Sequence, residues 1–264
     1  MASNHLIETF RQHARDWADR PAQRAKVGGQ WHDTTWRELG EAMEAVAGGL
    51  VALGHQAGDK VGLCARNMAE WTQADLGILA ARGVTVPLYP SNTAEQARFI
   101  LRDAGIRILF VGEQAEADLG LALLAAGDLE QVIALDPSVD LRGEPRARSF
   151  QALLEEGRTP ACTEEVRLRA GQFRMDDLLT LVYTSGTTGE PKGVMLDHAN
   201  VAEAMTLHDA RLRVEAEDVS LAVLPLCGSI PVPMAAWTGW RTPNSAAPIR
   251  VSCGRRCAPS SCSA

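Results

Sequence analysis

The chain predicts an α/β fold with parallel or mixed sheets flanked by helices, and three observations carry that expectation. Short apolar runs bounded by glycine or proline alternate with segments of helical period, as strands joined by crossover helices do. Two of the helical segments open on a capping box, Thr35 with Glu38 and Thr93 with Gln96. A loop rich in glycine and hydroxyl side chains also sits between two apolar runs, and strand ends are where such sheets bind ligands.

Taken in order, residues 33–54 read as an amphipathic helix. Leu39, Met43, Val46, Leu50 and Leu53 share one face, and Gly54 supplies a stop. Lys60–Cys64 reads as a strand, Met68 to Ala81 as a helix, and Val84–Leu88, after Gly83, as the next strand. The helix opened by Thr93 ends near Ala104-Gly105. Strand Ile106–Val111, a helix over 115–126 and strand Gln131–Leu135 follow. Residues 137–176 are polar and broken by Pro137, Pro145 and Pro160, which predicts a connecting region with one helix over Phe150–Glu156. Leu178–Val182 and Val194–Leu196 flank the loop as strands. A helix over Ala199–Ala210 and a strand over Ser220–Leu224 complete the reading, with no internal repeat.

Composition narrows the classes. The 264 residues are 46% hydrophobic and 22% charged, ordinary for a globular protein with room for a large core. A net charge of −7 argues against nucleic-acid binding. No window of eighteen apolar residues predicts a membrane-spanning helix, and the first residues lack a basic start followed by an apolar core, so a cytoplasmic location is expected. Six cysteines suggest a disulfide set, but Cys64 and Cys162 stand alone while Cys227, Cys253, Cys257 and Cys262 crowd the end. Cys253, Cys257 and Cys262 fit a zinc spacing poorly, and no metal ligand is assigned.

The loop Thr184-Ser185-Gly186-Thr187-Thr188-Gly189-Glu190-Pro191-Lys192-Gly193 carries the chemistry. Glycines let the backbone turn close to a ligand, and turned N–H groups with hydroxyl donors form an anion-binding concavity. Lys192 adds a compact cation, one of only three lysines (with Lys26 and Lys60) among 26 basic residues. The string reads as a polyphosphate cradle; the plain alternative is a flexible surface hairpin. The Walker spelling fails because Pro191 precedes and Gly193 follows the lysine, and a dinucleotide fingerprint would need a helix where Val194-Met195-Leu196 reads as strand. Among the histidines, His198 is a candidate for a structural or supporting role near a helix start, whereas His55 and His208 read as surface residues. Trp71 and Tyr89 read as core or core-edge residues.

This string resembles the signature of the adenylate-forming, acyl-activating enzymes. Thr35-Trp36-Arg37-Glu38-Leu39, Asn67-Met68-Ala69-Glu70-Trp71 and Thr85–Gln96 look like the long-chain fatty acyl-CoA synthetase branch, as do Asp197-His198-Ala199-Asn200 and Leu224-Pro225-Leu226. The resemblance implies the N-terminal portion of the large adenylating domain over residues 5–227. It implies an ATP-dependent, AMP-forming fatty acid–CoA ligase using Mg²⁺ and coenzyme A, with fatty acid as partner and peripheral membrane association to collect it. Thr184, Ser185, Gly186, Thr187, Thr188, Gly189 and Lys192 would grip the ATP phosphates. An aryl- or medium-chain acid ligase, and a non-catalytic nucleotide-binding module, stay open as alternatives. The family's catalytic lysine lies in a later domain, so no residue here is assigned that role and a catalytically incomplete segment is expected.

Past Cys227 the composition changes. Asp218 is the last acidic residue of 33, and residues 228–264 hold five prolines, six serines, three cysteines and four arginines without a period. Such a segment buries too little apolar surface to offset its ordering entropy, so a disordered tail is expected. Out-of-frame reading of GC-rich DNA yields this composition, which points to a frameshift or truncation near residue 227; a genuine alternative tail is the other reading.

Overall fold

Helix α1 (Leu6–Asp16) leads into an antiparallel hairpin of β1 (Pro21–Val27) and β2 (Gln30–Thr35), followed by α2 (Trp36–Ala52). Then come β3 (Lys60–Cys64), α3 (Ala69–Ala80), β4 (Val84–Leu88), α4 (Ala94–Ala104), β5 (Ile108–Val111), α5 (Gln114–Ala125) and β6 (Gln131–Ala134). A short β7 (Ala147–Ser149), α6 (Phe150–Gly157), α7 (Pro160–Ala170), β8 (Leu178–Thr184), β9 (Lys192–Asp197), α8 (His198–Leu212), a 3₁₀ turn (Leu226–Gly228) and β10 (Ser252–Cys253) follow. The structure, a computed structural model, describes residues 5–184, 191–212, 219–222, 224–228 and 252–253.

Beside the separate β1–β2 hairpin, β3 to β10 form one mixed sheet in the order β10-β9-β8-β4-β3-β5-β6-β7. β8-β4-β3-β5-β6-β7 run parallel; β9 is antiparallel to β8, and β10 to β9. Alternation along each strand divides the core between the two faces. Val61, Leu63, Ile108, Phe110, Ile133 and Leu179 face one side, with Met43, Val46 and Leu50 of α2, Leu76 and Leu79 of α3, and Leu153 of α6. Val84, Val86, Leu88, Leu109, Val111, Val132, Leu181 and Tyr183 face the other, with Ile100 and Leu101 of α4 and Leu123 and Leu124 of α5. Burial on both faces is why β4 and β5 are written almost wholly in apolar residues.

Glycines set the closest helix crossing. A Cβ on Gly157 of α6 would run into Ala45 O and Gly49 N of α2, and one on Gly48 would strike Gly157 O. Both capping boxes form: the Thr35 and Thr93 hydroxyls accept from Glu38 N and Gln96 N, and each N3 side chain reaches back. The left-handed Gly105, φ 70°, ends α4 where expected.

Several expectations are corrected. Helix α2 starts at Trp36 because Asp33–Thr35 complete β2, paired across the Gly28-Gly29 turn and tied by Arg24 to Asp33. Helix α1, not foreseen, buries Leu6, Ile7 and Phe10 on one face. Pro160 does not break periodicity; it occupies the first turn of α7 behind the Thr159 cap, where its missing N–H costs nothing. His55 is buried, not on the surface, because the turn after α2 folds it against Gly83. Ser220–Leu224 is not a strand at its described residues, since the Ala222 and Leu224 carbonyls bond to the Asn67 side chain and not to a neighbouring strand. From the expected tail, Ser252–Cys253 pairs with β9, while the other positions from 229 onward, Cys257 and Cys262 included, lie outside the described residues.

Candidate functional site

The carboxyl ends of β3, β4, β5 and β8 open on the same edge of the sheet because the four strands are parallel. The β8–β9 hairpin presents its loop there. Thr184, exposed, is the last residue of β8 and pairs directly with Lys192, the first of β9, so hydroxyl and ammonium stand on facing positions at the mouth of the loop. Ser185, Gly186, Thr187, Thr188 and Gly189 lie outside the described residues. Of the expected phosphate grip, the structure therefore places the two ends.

Behind the mouth the hairpin is pinned at three levels. Tyr183 Oη donates to Asp103 Oδ2 of α4 at 2.5 Å, and burial beside that carboxylate pushes the phenol pKa up, so the hydroxyl stays a donor. Gly193, paired with Tyr183, leaves the space its ring fills: a Cβ there would sit 3.2 Å from the ring. Lower down, the Thr180 hydroxyl donates at 2.8 Å to the Thr85 carbonyl of β4. This bond reinforces the one register pair, Thr85 with Thr180, that joins the hairpin to the parallel strands.

At the base, Asp197 and Asn200 exchange backbone-to-side-chain bonds that start α8, and His198 N donates to Asp177 O. The buried His198 ring packs 4.1 Å from His5 at the start of α1, and His5 stacks on Phe173 at 4.3 Å. Burial holds His198 down to about 3 and His5 down to about 4, so both are neutral at pH 7. Asp177 is held by Arg82 at 2.8 Å. His198 thus joins α1 to the foot of the hairpin, a structural role. His55 is likewise neutral, lowered to about 4 by burial.

Two features escaped sequence reasoning. Asp75 of α3 is wholly buried on the face shared with Thr85, and burial pushes its carboxyl up to about 7 against the opposing pull of the Thr85 hydroxyl. A lone aspartate in an otherwise apolar helix face was the available signal. Asn67, just beyond β3, bonds three backbone groups of Ala222–Leu226; nothing in the sequence links those segments. Among the described residues no cluster of His, Cys, Asp or Glu could hold a metal ion, and no helix is long and apolar enough to cross a membrane. Trp71 is buried and Tyr89 half-buried, as expected.

Comparison with known proteins agrees with this fold. A sequence model of the family described as AMP-binding enzyme matches residues 10–238. The long-chain-fatty-acid–CoA ligase FadD15 of Mycobacterium bovis is 35% identical over 209 residues, covering 76% of this chain and 33% of that protein. The human long-chain-fatty-acid–CoA ligase ACSBG2 is 30% identical over 226 residues, covering 84% of this chain and 33% of its own length. The chain thus spans about a third of the curated relatives it matches. Among solved structures, the N-terminal domain of FACL13 from Mycobacterium tuberculosis superposes with a TM-score of 0.71 at 25% identity, covering 88% of this chain and 54% of that one. The anthranilate CoA ligase AuaEII in complex with anthranoyl-AMP has a TM-score of 0.72 at 22% identity, covering 89% and 44%, and shares the fold.

Proposed function

Because this chain belongs to the AMP-binding enzyme family, we propose that it is a segment of a ligase that activates a long-chain fatty acid with ATP and passes the acyl group to coenzyme A. A carboxylate is a poor electrophile, since its charge repels nucleophiles and oxide is a poor leaving group. Attack of the carboxylate oxygen on the α-phosphorus of ATP forms the acyl-adenylate and expels pyrophosphate; a thiol then displaces AMP. The first step requires that the departing charge be held, which is a matter of positioning and electrostatics.

The observation that carries the reading is the β8–β9 hairpin, which sets Thr184 opposite Lys192 at the carboxyl edge of the sheet. The hydroxyl donates to a phosphate oxygen and the ammonium offsets charge on the leaving pyrophosphate. Ser185, Gly186, Thr187, Thr188 and Gly189 complete the cradle in this proposal. Mg²⁺ would arrive on the nucleotide, held by phosphate oxygens, and would supply further charge neutralisation. Peripheral contact with a membrane, the usual store of long-chain acids, belongs to the same proposal, as does the division into an adenylating segment 5–227 and an aberrant tail 228–264. Sequencing the coding DNA through codon 227 tests that division.

ATP–pyrophosphate exchange across a panel of fatty, aryl and amino acids, run on a full-length enzyme containing this segment, tests the reaction. Fatty acids should give the fastest exchange; preference for aryl or amino acids overturns the long-chain assignment. In the same enzyme Lys192→Ala should weaken pyrophosphate binding by about tenfold or more, the loss of one charge-assisted contact. Unchanged exchange and unchanged binding would return the loop to a plain surface hairpin.

A further inference from the structure

Two acids are buried among the described residues, Asp75 and Glu116. Glu116 is accounted for by the start of α5, where it accepts from Glu113 N. Asp75 stands in the middle of α3, between Trp71 and Ala74 on one side and Leu76, Ile78 and Leu79 on the other, all of them buried. A carboxyl there costs stability that an apolar side chain of the same size would not, so packing alone does not explain it. Its neighbour across the interface is Thr85, a wholly buried threonine in the otherwise apolar β4. Thr85 has two polar groups, and they serve two different elements. Its hydroxyl acts on the Asp75 carboxyl of α3, and its carbonyl accepts from the buried Thr180 hydroxyl of β8 at 2.8 Å. The pair Thr85–Thr180 is also the one register pair that joins β8 to β4.

We infer that Asp75 is a positioning residue for the phosphate hairpin: by holding the Thr85 hydroxyl from α3, it fixes the β4 peptide on which Thr180 anchors β8, and so sets how Thr184 and Lys192 are presented. The inference rests on the ligase reading above and adds to it a residue that touches no substrate and acts through Thr85. Three buried polar side chains thus run in a line from α3 through β4 to β8, and Thr184, paired with Lys192, follows along the same strand.

The carboxyl loses its proton near pH 7. A neutral acid suits these apolar surroundings, whereas the carboxylate gains by meeting water, so the line should loosen as pH rises through about 7. The buried or half-buried titratable groups of α3 and of the elements packed closest to it are Glu70, Glu44 of α2, Arg11 and His13 of α1, and Lys60 and Cys64 of β3. None of them shifts Asp75, which responds to burial and to Thr85 alone.

Three variants test this at pH 6 and pH 8. The KM values for ATP and palmitate are measured in a full-length enzyme containing this segment. Urea stability and hydrogen-exchange protection of β8 and β9 are measured in the 264-residue chain. D75L removes the carboxyl at similar volume. It should be as stable as the parent or more so, yet lose about tenfold in β8–β9 protection and raise the KM for ATP about fivefold, the equivalent of one hydrogen bond, with the palmitate KM within about twofold. D75N keeps a donor and an acceptor for Thr85 without the charge. It should match the wild type at pH 6 and lack the wild type's fall in protection and rise in ATP KM between pH 6 and 8. T85V should reproduce D75L, and the double variant D75L/T85V should be no worse than either, because both break one line. Should D75L fail to fold, D75N and T85V carry the test. A wild-type ATP KM in a folded D75L, a pH step that persists in D75N, or additive effects of D75L and T85V would each overturn the inference. A wild-type enzyme that activates no carboxylic acid overturns the ligase reading, while the exchange measurements still judge the hold on the hairpin; fatty-acid activity with unaltered variants overturns the positioning role alone.

Discussion

The parallel strands β4-β3-β5-β6 and the β8–β9 hairpin belong to one sheet but are held in opposite ways. Every residue of β4 and β5 is buried, and continuous ladders join β3 to both neighbours. Every residue of β9 is only half-buried, and β8 meets β4 at a single register pair. The parallel block is therefore held by area: each buried Val, Leu or Phe contributes roughly 1.5–3 kcal/mol, so no one contact decides its shape. The hairpin depends on a few directed contacts, namely Thr180 to the Thr85 carbonyl, Tyr183 to Asp103, and the His5–His198–Phe173 stack at its foot. Binding elements are commonly drawn from the less stable part of a fold, and here that part carries Thr184 and Lys192, the ends of the proposed phosphate cradle.

This contrast can be broken from the scaffold side first. Gly157→Val would drive a branched side chain into the α2 backbone, where Ala45 O and Gly49 N already occupy the space. A loss of about 3 kcal/mol or more is expected, enough to leave the chain largely unfolded. Urea unfolding followed by far-ultraviolet circular dichroism would read it, and a variant as stable as the parent would show that the α2–α6 crossing is not close-packed.

Acid should act next, and mainly at the foot of the hairpin. His5 and His198 are lowered from 6.5 to about 4 and about 3. In each case the unfolded chain binds a proton that the folded one refuses, so their contribution is complete above pH 6.5 and is lost as pH falls toward 4 and 3. His55 adds a third group of the same sign. Asp75 works the other way: raised from 3.8 to about 7, it favours the folded state at low pH and costs stability as pH rises between those values. With three groups against one, stability should fall by a few kcal/mol between pH 6.5 and 4. Replacing His5 and His198 by phenylalanine should flatten that slope, whereas an unchanged slope in chemical denaturation would place the acid sensitivity elsewhere.

Smaller effects sharpen the picture of a hairpin held by point contacts. Thr180→Val keeps the shape but removes the donor to the Thr85 carbonyl, for a cost of about 1–2 kcal/mol. Hydrogen exchange should quicken across β8 and β9 while β3 and β5 stay protected; uniform quickening would mean that hairpin and block open together. Tyr183→Phe should cost about 1 kcal/mol or less, since Asp103 can turn to water. Its signature is a looser Lys192 end of the hairpin, seen as faster exchange at Gly193 and Val194.

Much of this was determined locally and could be read from the sequence. The capping boxes at Thr35 and Thr93, the stop at Gly105, the strands Lys60–Cys64 and Val84–Leu88, and the two strands of the β8–β9 hairpin all rest on interactions within a few residues. The family string, too, is a contiguous run, so its likeness needed no fold to be seen. Contacts between distant segments were not legible. Pro160 reads equally as a breaker or as the first turn of α7, and only the burial of Val166 decides between them. The apolar run Ser220–Leu224 suits a strand by composition, yet its described residues are not in a strand, and the Ala222 and Leu224 carbonyls bond to Asn67. His55 and His198 are polar by type but neutral and buried by position, because helix packing and ring stacking remove them from water. The sequence determined the elements whose caps, stops and periods act along the chain; the tertiary structure decided the elements that need a packing partner, which polar groups are buried and what they hold, since that depends on residues brought together from far apart.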